Sequence, residues 1–154
     1  MFAAGRIDTH HHIVPPDYRD WLLSRGETAG GLPIPTWDVD TDLAFMDGQG
    51  IRAAVLSVST PGTHLGDDTE ARMWARKVHD YAAEIVRDRP SRYGFFATLP
   101  LPDVDGALEE AARALDELGA AGAPPSTTAT PKPSSPVSPP DGSPRRQSAA
   151  PSTS

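Results

Sequence analysis

Apolar stretches with the length and composition of β-strands occur three times in the chain. Residues 51–59, "IRAAVLSVS", are aliphatic or β-branched at nearly every position, which is typical of a strand covered on both faces. Residues 93–99, "YGFFATL", form a second apolar run, and residues 5–8, "GRID", predict a short strand near the start. Pro15 and Pro16 close the segment that follows this first strand. The pattern predicts three strands joined by long connections.

Helical periodicity appears between the predicted strands and after the last one. Residues 41–49 and 105–119 each predict a helix, and the clearest helix begins at Asp67, where Glu70 completes a capping box. The apolar face of this helix comprises Ala71, Trp74, Ala75, Val78, Tyr81, Ala82 and Ile85. The apolar face of the last helix comprises Leu108, Ala111, Leu115 and Leu118. Alternation of strands and helices predicts an α/β fold with a parallel sheet.

The composition changes abruptly after Gly122. Residues 123–154 are rich in Pro, Ser and Thr, and Val137 is their only large aliphatic residue. Such a segment cannot bury enough apolar surface to offset the entropy of ordering it. We therefore expect one partial α/β domain at residues 1–122 and a disordered tail at residues 123–154. The abrupt change favours a truncated product, for example of a shifted reading frame, and a natural linker to a lost domain is the alternative.

Charge and composition exclude several classes of function. The net charge of −7, without a basic stripe, argues against a nucleic-acid partner. The absence of cysteine leaves His, Asp and Glu as the side chains available to bind a metal. No apolar run approaches the ~18 residues of a membrane span, and the first residues lack the apolar region of a signal peptide. We therefore expect a cytoplasmic protein with no membrane partner.

Three consecutive histidines follow the first predicted strand. In an extended segment His10 and His12 share one face and His11 points the opposite way, which suits two imidazoles on one metal ion such as zinc. Asp8 is expected on the face of the pair, as a further ligand or a supporting carboxylate. A polar surface turn and an affinity tag are the alternatives, although three internal histidines fit a tag poorly.

A long loop at residues 21–40 contains two further candidates. Arg25 is a candidate to bind a substrate carboxylate in a bidentate manner, with a surface arginine as the more ordinary interpretation. Trp37 is expected either to line a pocket or to anchor the loop. His64 and His79 are the remaining histidines, and both are expected to be solvated, with a reach of His64 to a site at the end of the second strand as the alternative.

The segment "IDTHHHIVPPDY" resembles the Asp-x-His-x-His-x-x-Pro opening of the amidohydrolase superfamily. The resemblance is to the branch that contains amidohydrolase-2 proteins and aminocarboxymuconate-semialdehyde decarboxylase. The segments "MDGQGIRAAVLSVSTPG" and "RPSRYGFFATLPLPDVDGALEEAARALDELGAAG" resemble the second and third strand and helix units of that branch. The resemblance covers residues 6–122.

The resemblance implies a TIM-type barrel that holds one divalent metal, usually zinc, and decarboxylates or hydrolyses small carboxylated substrates. It implies His10 and His12 as metal ligands, a supporting role for Asp8, and a variable position at His11. The further histidines and the late aspartate that the family places on later strands have no counterpart here. Decarboxylation is the expected activity, and hydrolysis is the alternative within the superfamily.

A closed barrel of this type has eight strands and typically about 250 residues. Three βα units correspond to the N-terminal part of such a barrel. An open parallel fragment exposes strand edges and apolar helix surface, so we expect marginal stability or aggregation. A non-catalytic truncated fragment is therefore the second alternative, and the sequence leaves the oligomeric state open.

Overall fold

The computed structural model describes residues 5–122, and the tail predicted at residues 123–154 lies outside them. Three parallel strands form one sheet in the order β1-β2-β3, and four helices accompany them. The elements in chain order are β1 (Arg6–Ile13), α1 (Pro16–Ser24), α2 (Val39–Gly48), β2 (Ile51–Val58), α3 (Asp68–Asp88), β3 (Tyr93–Phe95) and α4 (Val104–Asp116). The predicted α/β class with a parallel sheet is confirmed.

The first strand is longer than the sequence pattern predicts. β1 continues through the three histidines to Ile13, whereas the pattern ends it at Asp8. Asp8 lies opposite Ala54 and His11 lies opposite Leu56, so β1 uses one more residue than β2 over this interval. An extra residue of this kind is a β-bulge, which breaks the two-residue alternation of side chains. The register shift therefore spans Thr9 and His10, and regular pairing resumes at His11.

Helix α1 occupies part of the region that the sequence assigns to an irregular loop. Pro16 begins the helix, where its fixed φ angle is favourable and its missing N–H leaves no hydrogen bond unmade. Tyr18 and Leu22 are four residues apart, and both are buried. Their packing gives α1 a core-facing side despite its short length of 9 residues.

The core packs against one face of β2, where Ala54 and Leu56 are its buried residues. Leu56 of β2, Phe95 of β3 and Ile13 of β1 are almost completely buried in one cluster. A second cluster joins α1 to α3 through Tyr18 and Trp74. Trp74 is thus a core residue, as its helical spacing predicts. The two clusters fix α1, α3 and the three strands relative to one another.

Backbone pairing continues beyond β3 at the last described residues. Ala121 donates its N–H to the carbonyl of Phe95 at 2.8 Å, and Gly122 accepts from Ala97 at 2.6 Å. Phe96 and Gly122 form a parallel bridge, so the sheet begins a further parallel pairing on the outer edge of β3. None of the helices within residues 5–122 is both long and apolar enough to cross a membrane.

Candidate metal centre

His10 and His12 lie side by side near the C-terminal end of β1. Their ring centroids are 4.6 Å apart, with the ring planes at 72°. Nδ1 of His12 lies 3.3 Å from the hydroxyl of Ser57, its register partner on β2. This contact leaves Nε2 of His12 as the ring nitrogen available to a ligand. The structure therefore brings together the two imidazoles that the sequence proposes as metal ligands.

The environment of His12 favours the form that binds metals. Burial lowers the pKa of His12, and the nearby rings of His10 and His11 lower it further. Only a neutral imidazole presents a lone pair to a metal ion. His12 therefore requires little proton release before it binds a cation at neutral pH.

His11 points into the protein, as the alternation along the strand predicts. It is 7% exposed, and its two ring nitrogens contact carboxylates on opposite sides. Nδ1 lies 3.1 Å from Oδ2 of Asp8, and Nε2 lies 2.8 Å from Oδ1 of Asp42. Burial lowers the pKa of His11, but the two carboxylates outweigh burial and the net pKa is raised. Both ring nitrogens thus face carboxylate oxygens, which accept hydrogen bonds, and this arrangement favours the protonated ring.

Asp8 is oriented differently from the expectation of simple alternation. Its Oδ1 accepts the backbone N–H of His10 at 3.0 Å, and its Oδ2 contacts the ring of His11. The bulge between Asp8 and His11 accounts for this orientation, because it changes the phase of the side chains. The hydrogen bond from His10 and then that from His11 lower the pKa of Asp8. Asp8 therefore supports the pair through the backbone and through His11.

Asp42 and Tyr93 were not identified from the sequence as site residues. Asp42 lies on α2, and its Oδ2 accepts a hydrogen bond from the Tyr93 hydroxyl at 2.8 Å. Burial and then the contact with Asp42 raise the pKa of Tyr93. A signal for Asp42 was present in the sequence. Asp42 lies four residues before the buried Met46, so the two share one side of the helix, and an acidic residue on the buried side indicates a polar partner there.

A cavity of about 220 Å³ lies beside His12. Its walls come from β1, α1, the loop before α2 and the residues after β2. Trp37 contributes to the wall, as one of the two interpretations from the sequence predicted, and Ser59 and Thr60 supply hydroxyl groups. The remaining lining residues are Val14, Tyr18, Leu22, Ala29, Ile34, Pro35 and Thr36. The cavity is mainly apolar and has its polar groups at the His12 end and after β2.

The other candidates from the sequence lie elsewhere. Arg25 forms an ion pair with Glu70 of α3, with its guanidinium 5.9 Å from the ring of Trp21, and it is not among the residues that line the cavity. His64 contacts Asp68, the first residue of α3, at 2.8 Å. The expectation that His79 is solvated is wrong, because this residue is fully buried.

The nitrogen donors of the histidine pair match part of the ligand set of a divalent metal. Imidazole nitrogen suits zinc and other first-row metals, and His10 and His12 supply two such donors on neighbouring rings. No group of three or more His, Cys, Asp or Glu side chains that could hold a metal occurs within residues 5–122. The described residues fit part of a metal site, namely two of its ligands.

Comparison with known proteins gives a consistent family. The sequence model of the Amidohydrolase family matches residues 7–144. Decarboxylase yanB of Aspergillus niger is 38% identical over 122 residues, which are 76% of this chain and 33% of that protein. The 6-methylsalicylic acid decarboxylase acuB of Aspergillus aculeatus is 39% identical over 119 residues, covering 76% of this chain and 36% of the relative. The chain thus spans about a third of the length of these relatives.

Solved structures show the same relationship. The crystal structure of an amidohydrolase II matches with a TM-score of 0.73 and 30% identity, over 77% of this chain and 39% of that one. A dihydroxybenzoic acid decarboxylase from Polaromonas, solved with bound manganese and the inhibitor 2-nitroresorcinol, matches with a TM-score of 0.62 and 30% identity. That match covers 77% of this chain and 37% of the other. The fold is therefore part of a TIM-type barrel.

Proposed function

Because the chain belongs to the Amidohydrolase family, we propose that it forms part of a metal-dependent carboxy-lyase acting on a small aromatic carboxylate. The relatives named as decarboxylases support the reaction, and the manganese in a related structure supports a divalent metal. The proposed cofactor is Zn²⁺, which imidazole donors suit, or Mn²⁺, which the related decarboxylase structure contains. In this proposal His10 and His12 hold the metal, and Asp8 has a supporting role.

The observation that carries the proposal is that one member of the histidine pair lines an apolar cavity. His12 belongs both to the pair and to the cavity wall. Active sites of TIM-type barrels lie at the C-terminal ends of the strands, where this pair is found. A bound divalent metal supplies a Lewis acid that polarises a substrate oxygen.

The cavity suits a single aromatic ring. An apolar protein cavity of about 150 Å³ accommodates benzene, so about 220 Å³ leaves room for a ring with small substituents. Trp37 and Ile34 offer apolar contact to the ring. The hydroxyls of Ser59 and Thr60 offer hydrogen bonds to its polar substituents. Such a cavity excludes water from the ring while His12 holds the metal at one end.

The metal step is tested by titrating the full chain with Mn²⁺ or Zn²⁺. His10→Ala and His12→Ala should each abolish most of the binding, because each removes one of two nitrogen donors. His64→Ala is the matched control, since the side chain of His64 contacts Gly66 and the first residue of α3 and is not part of the pair, so its loss should leave the affinity unchanged. Equal losses in all three variants would contradict a site at the histidine pair.

The catalytic step is tested by measuring CO₂ release from hydroxybenzoates with the metal-loaded chain. Turnover that disappears in His10→Ala and His12→Ala supports the carboxy-lyase. Cleavage of an amide or ester substrate without CO₂ release would instead indicate a hydrolase of the same superfamily.

A second candidate function is metal binding without turnover by a truncated fragment. The observation that favours it is the absence of a third metal-binding side chain near the pair within residues 5–122. Catalytic zinc commonly takes three protein ligands and a water, so a further donor has to come from outside these residues. Stoichiometric metal binding with no CO₂ release from any hydroxybenzoate would favour this candidate.

A further inference from the structure

We propose that a polar network centred on the buried His11 positions His10 and His12 for metal binding. The network consists of Asp8, His11, Asp42 and Tyr93 and is called the His11 network below. This inference rests on the proposed function, because it concerns the geometry of the same metal site. It assigns a positioning role to His11, which the family resemblance treats as a variable position.

At one end of the network, Asp8 holds the backbone of the proposed ligand His10. Asp8 accepts the N–H of His10 at 3.0 Å with one carboxylate oxygen and contacts the His11 ring at 3.1 Å with the other. This carboxylate spans the β-bulge between Asp8 and His11. A bulge redirects side chains next to it, so the groups that fix its geometry also fix the direction of the residues that follow.

The far end of the network ties this strand to two other elements. His11 contacts Asp42 of α2 at 2.8 Å, and Asp42 accepts from the hydroxyl of Tyr93 on β3 at 2.8 Å. The side chains of His11 and Asp42 are only 8% and 10% exposed. Hydrogen bonds that are shielded from water in this way hold their geometry more firmly than exposed ones. The network therefore connects β1, α2 and β3 beneath the histidine pair.

His11 lies between two residues whose side chains face the proposed metal. Its own side chain is on the opposite face, so it does not touch the ion. Any rotation of the strand at His11 moves both His10 and His12, because they are its chain neighbours. Loss of an outer partner that orients a metal ligand typically lowers metal affinity about 10–100-fold. We expect the lower end of that range, since His11 acts through the backbone.

The test is a titration of the full chain with Mn²⁺, in which the electron paramagnetic resonance signal of free Mn²⁺ measures how much metal is bound. Asp42→Ala removes the acceptor for both His11 and Tyr93 and should weaken binding about tenfold. Asp42→Asn keeps a side-chain oxygen as acceptor and should restore most of the affinity. Tyr93→Phe removes only the hydroxyl and should cause a smaller loss in the same direction, and it serves if Asp42→Ala does not fold.

Two control variants separate positioning from charge and from stability. Asp40→Ala removes an exposed carboxylate from the same helix and should leave the affinity within about twofold, as expected of a screened surface charge. Met46→Val destabilises the core beneath α2 without touching the network and should also leave the affinity unchanged. In the metal-free chain, the amide proton of His10 should shift in the nuclear magnetic resonance spectrum of Asp42→Ala but not in that of Met46→Val.

The outcomes distinguish this inference from the proposed function. Binding by the unmodified chain that is weakened by Asp42→Ala and restored by Asp42→Asn supports the network. Binding that is equally strong in Asp42→Ala, with an unshifted His10 amide, overturns the network and leaves the metal site intact. No Mn²⁺ binding by the unmodified chain overturns both.

Discussion

His79 shows at the level of a single residue how burial decides the form of a side chain. Its Nε2 accepts the backbone N–H of Thr98 at 2.6 Å, so the ring proton lies on Nδ1, which faces Oε1 of Glu110 at 2.7 Å. Burial lowers the pKa of His79 and outweighs the nearby carboxylate of Glu110, which raises it. A neutral imidazole thus links α3, α4 and the chain after β3.

The lowered pKa of His79 predicts that folding stability depends on pH. Below about pH 6.5 the unfolded chain binds a proton at this residue more readily than the folded chain does, so this contribution to stability is lost as the pH falls. His79→Gln retains a donor and an acceptor but does not titrate. Urea unfolding at pH 7.5 and pH 5 should show the unmodified chain losing stability relative to His79→Gln, by at most about 1.4 kcal/mol per pH unit.

The difference between the two proteins is the quantity to measure, because other groups titrate in the same range. The raised pKa of His11 acts with the opposite sign: its contribution is complete below about pH 6.5 and is lost as the pH rises through the raised value. Charged groups near His79 include Glu110, Arg113 and Asp80, all present in both proteins. A stability difference that stays constant from pH 7.5 to pH 5 would show that His79 does not titrate in this way.

Residue-level predictions from the sequence succeeded where a local pattern was sufficient. Alternation along a strand brought His10 and His12 together, and helical spacing placed Trp74 in the core. The same reasoning missed the burial of His79 and the role of Asp42. Each of these two has a partner at least 31 residues away in the sequence, and no local pattern reports such a contact.

Among the helices, α4 shows the limit of judging orientation from an apolar stripe. The sequence predicts Leu108 and Leu115 on its apolar face, yet these residues are 66% and 46% exposed. The buried side instead contains Ala107, Glu110 and Ala114. This side packs on α3 through small residues and through the contact of Glu110 with His79. Close approach of α3 and α4 therefore selects the small face, and the leucines remain outside.

Gly106 tests this close approach. A Cβ atom at Gly106 would collide with the Asp103 carboxylate and the Arg72 guanidinium, which form the ion pair between the start of α4 and α3. Gly106→Ala should therefore displace these side chains and weaken both their ion pair and the cap that Asp103 makes with the Gly106 N–H, at a cost of about 1 kcal/mol that the helix preference of alanine partly offsets. Gly48→Ala is the matched control, because nothing lies within 4 Å of its added Cβ, and it should be neutral or stabilising. Denaturant unfolding of both variants measures the contrast, and stabilisation by Gly106→Ala would show that α4 moves freely to admit the methyl group.

At the scale of the whole molecule, the order of the strands and helices was predictable from the sequence, but the full extent of the strands was not. Strand, helix and parallel pairing follow from apolar runs and their spacing, and the sheet order β1-β2-β3 agrees with them. The sequence did not predict that β1 continues through the histidines, because a bulge has no clear local signal there. The pairing of Gly122 with Phe96 shows the sheet continuing at the edge where the described residues end.

Exposed apolar side chains on α4 predict how the chain behaves in solution. Val104, Leu108 and Leu115 leave apolar surface exposed on α4, so the chain should self-associate as its concentration rises. The net charge of −7 opposes this association, and salt screens that repulsion, so association should increase with salt.

Sedimentation velocity should show that Leu108→Lys with Leu115→Lys reduces association. Leu23→Lys with Leu32→Lys makes the same charge change away from α4, so it separates the loss of the apolar face from the change in charge. Equal effects of the two double variants would mean that the α4 face has no special part in association.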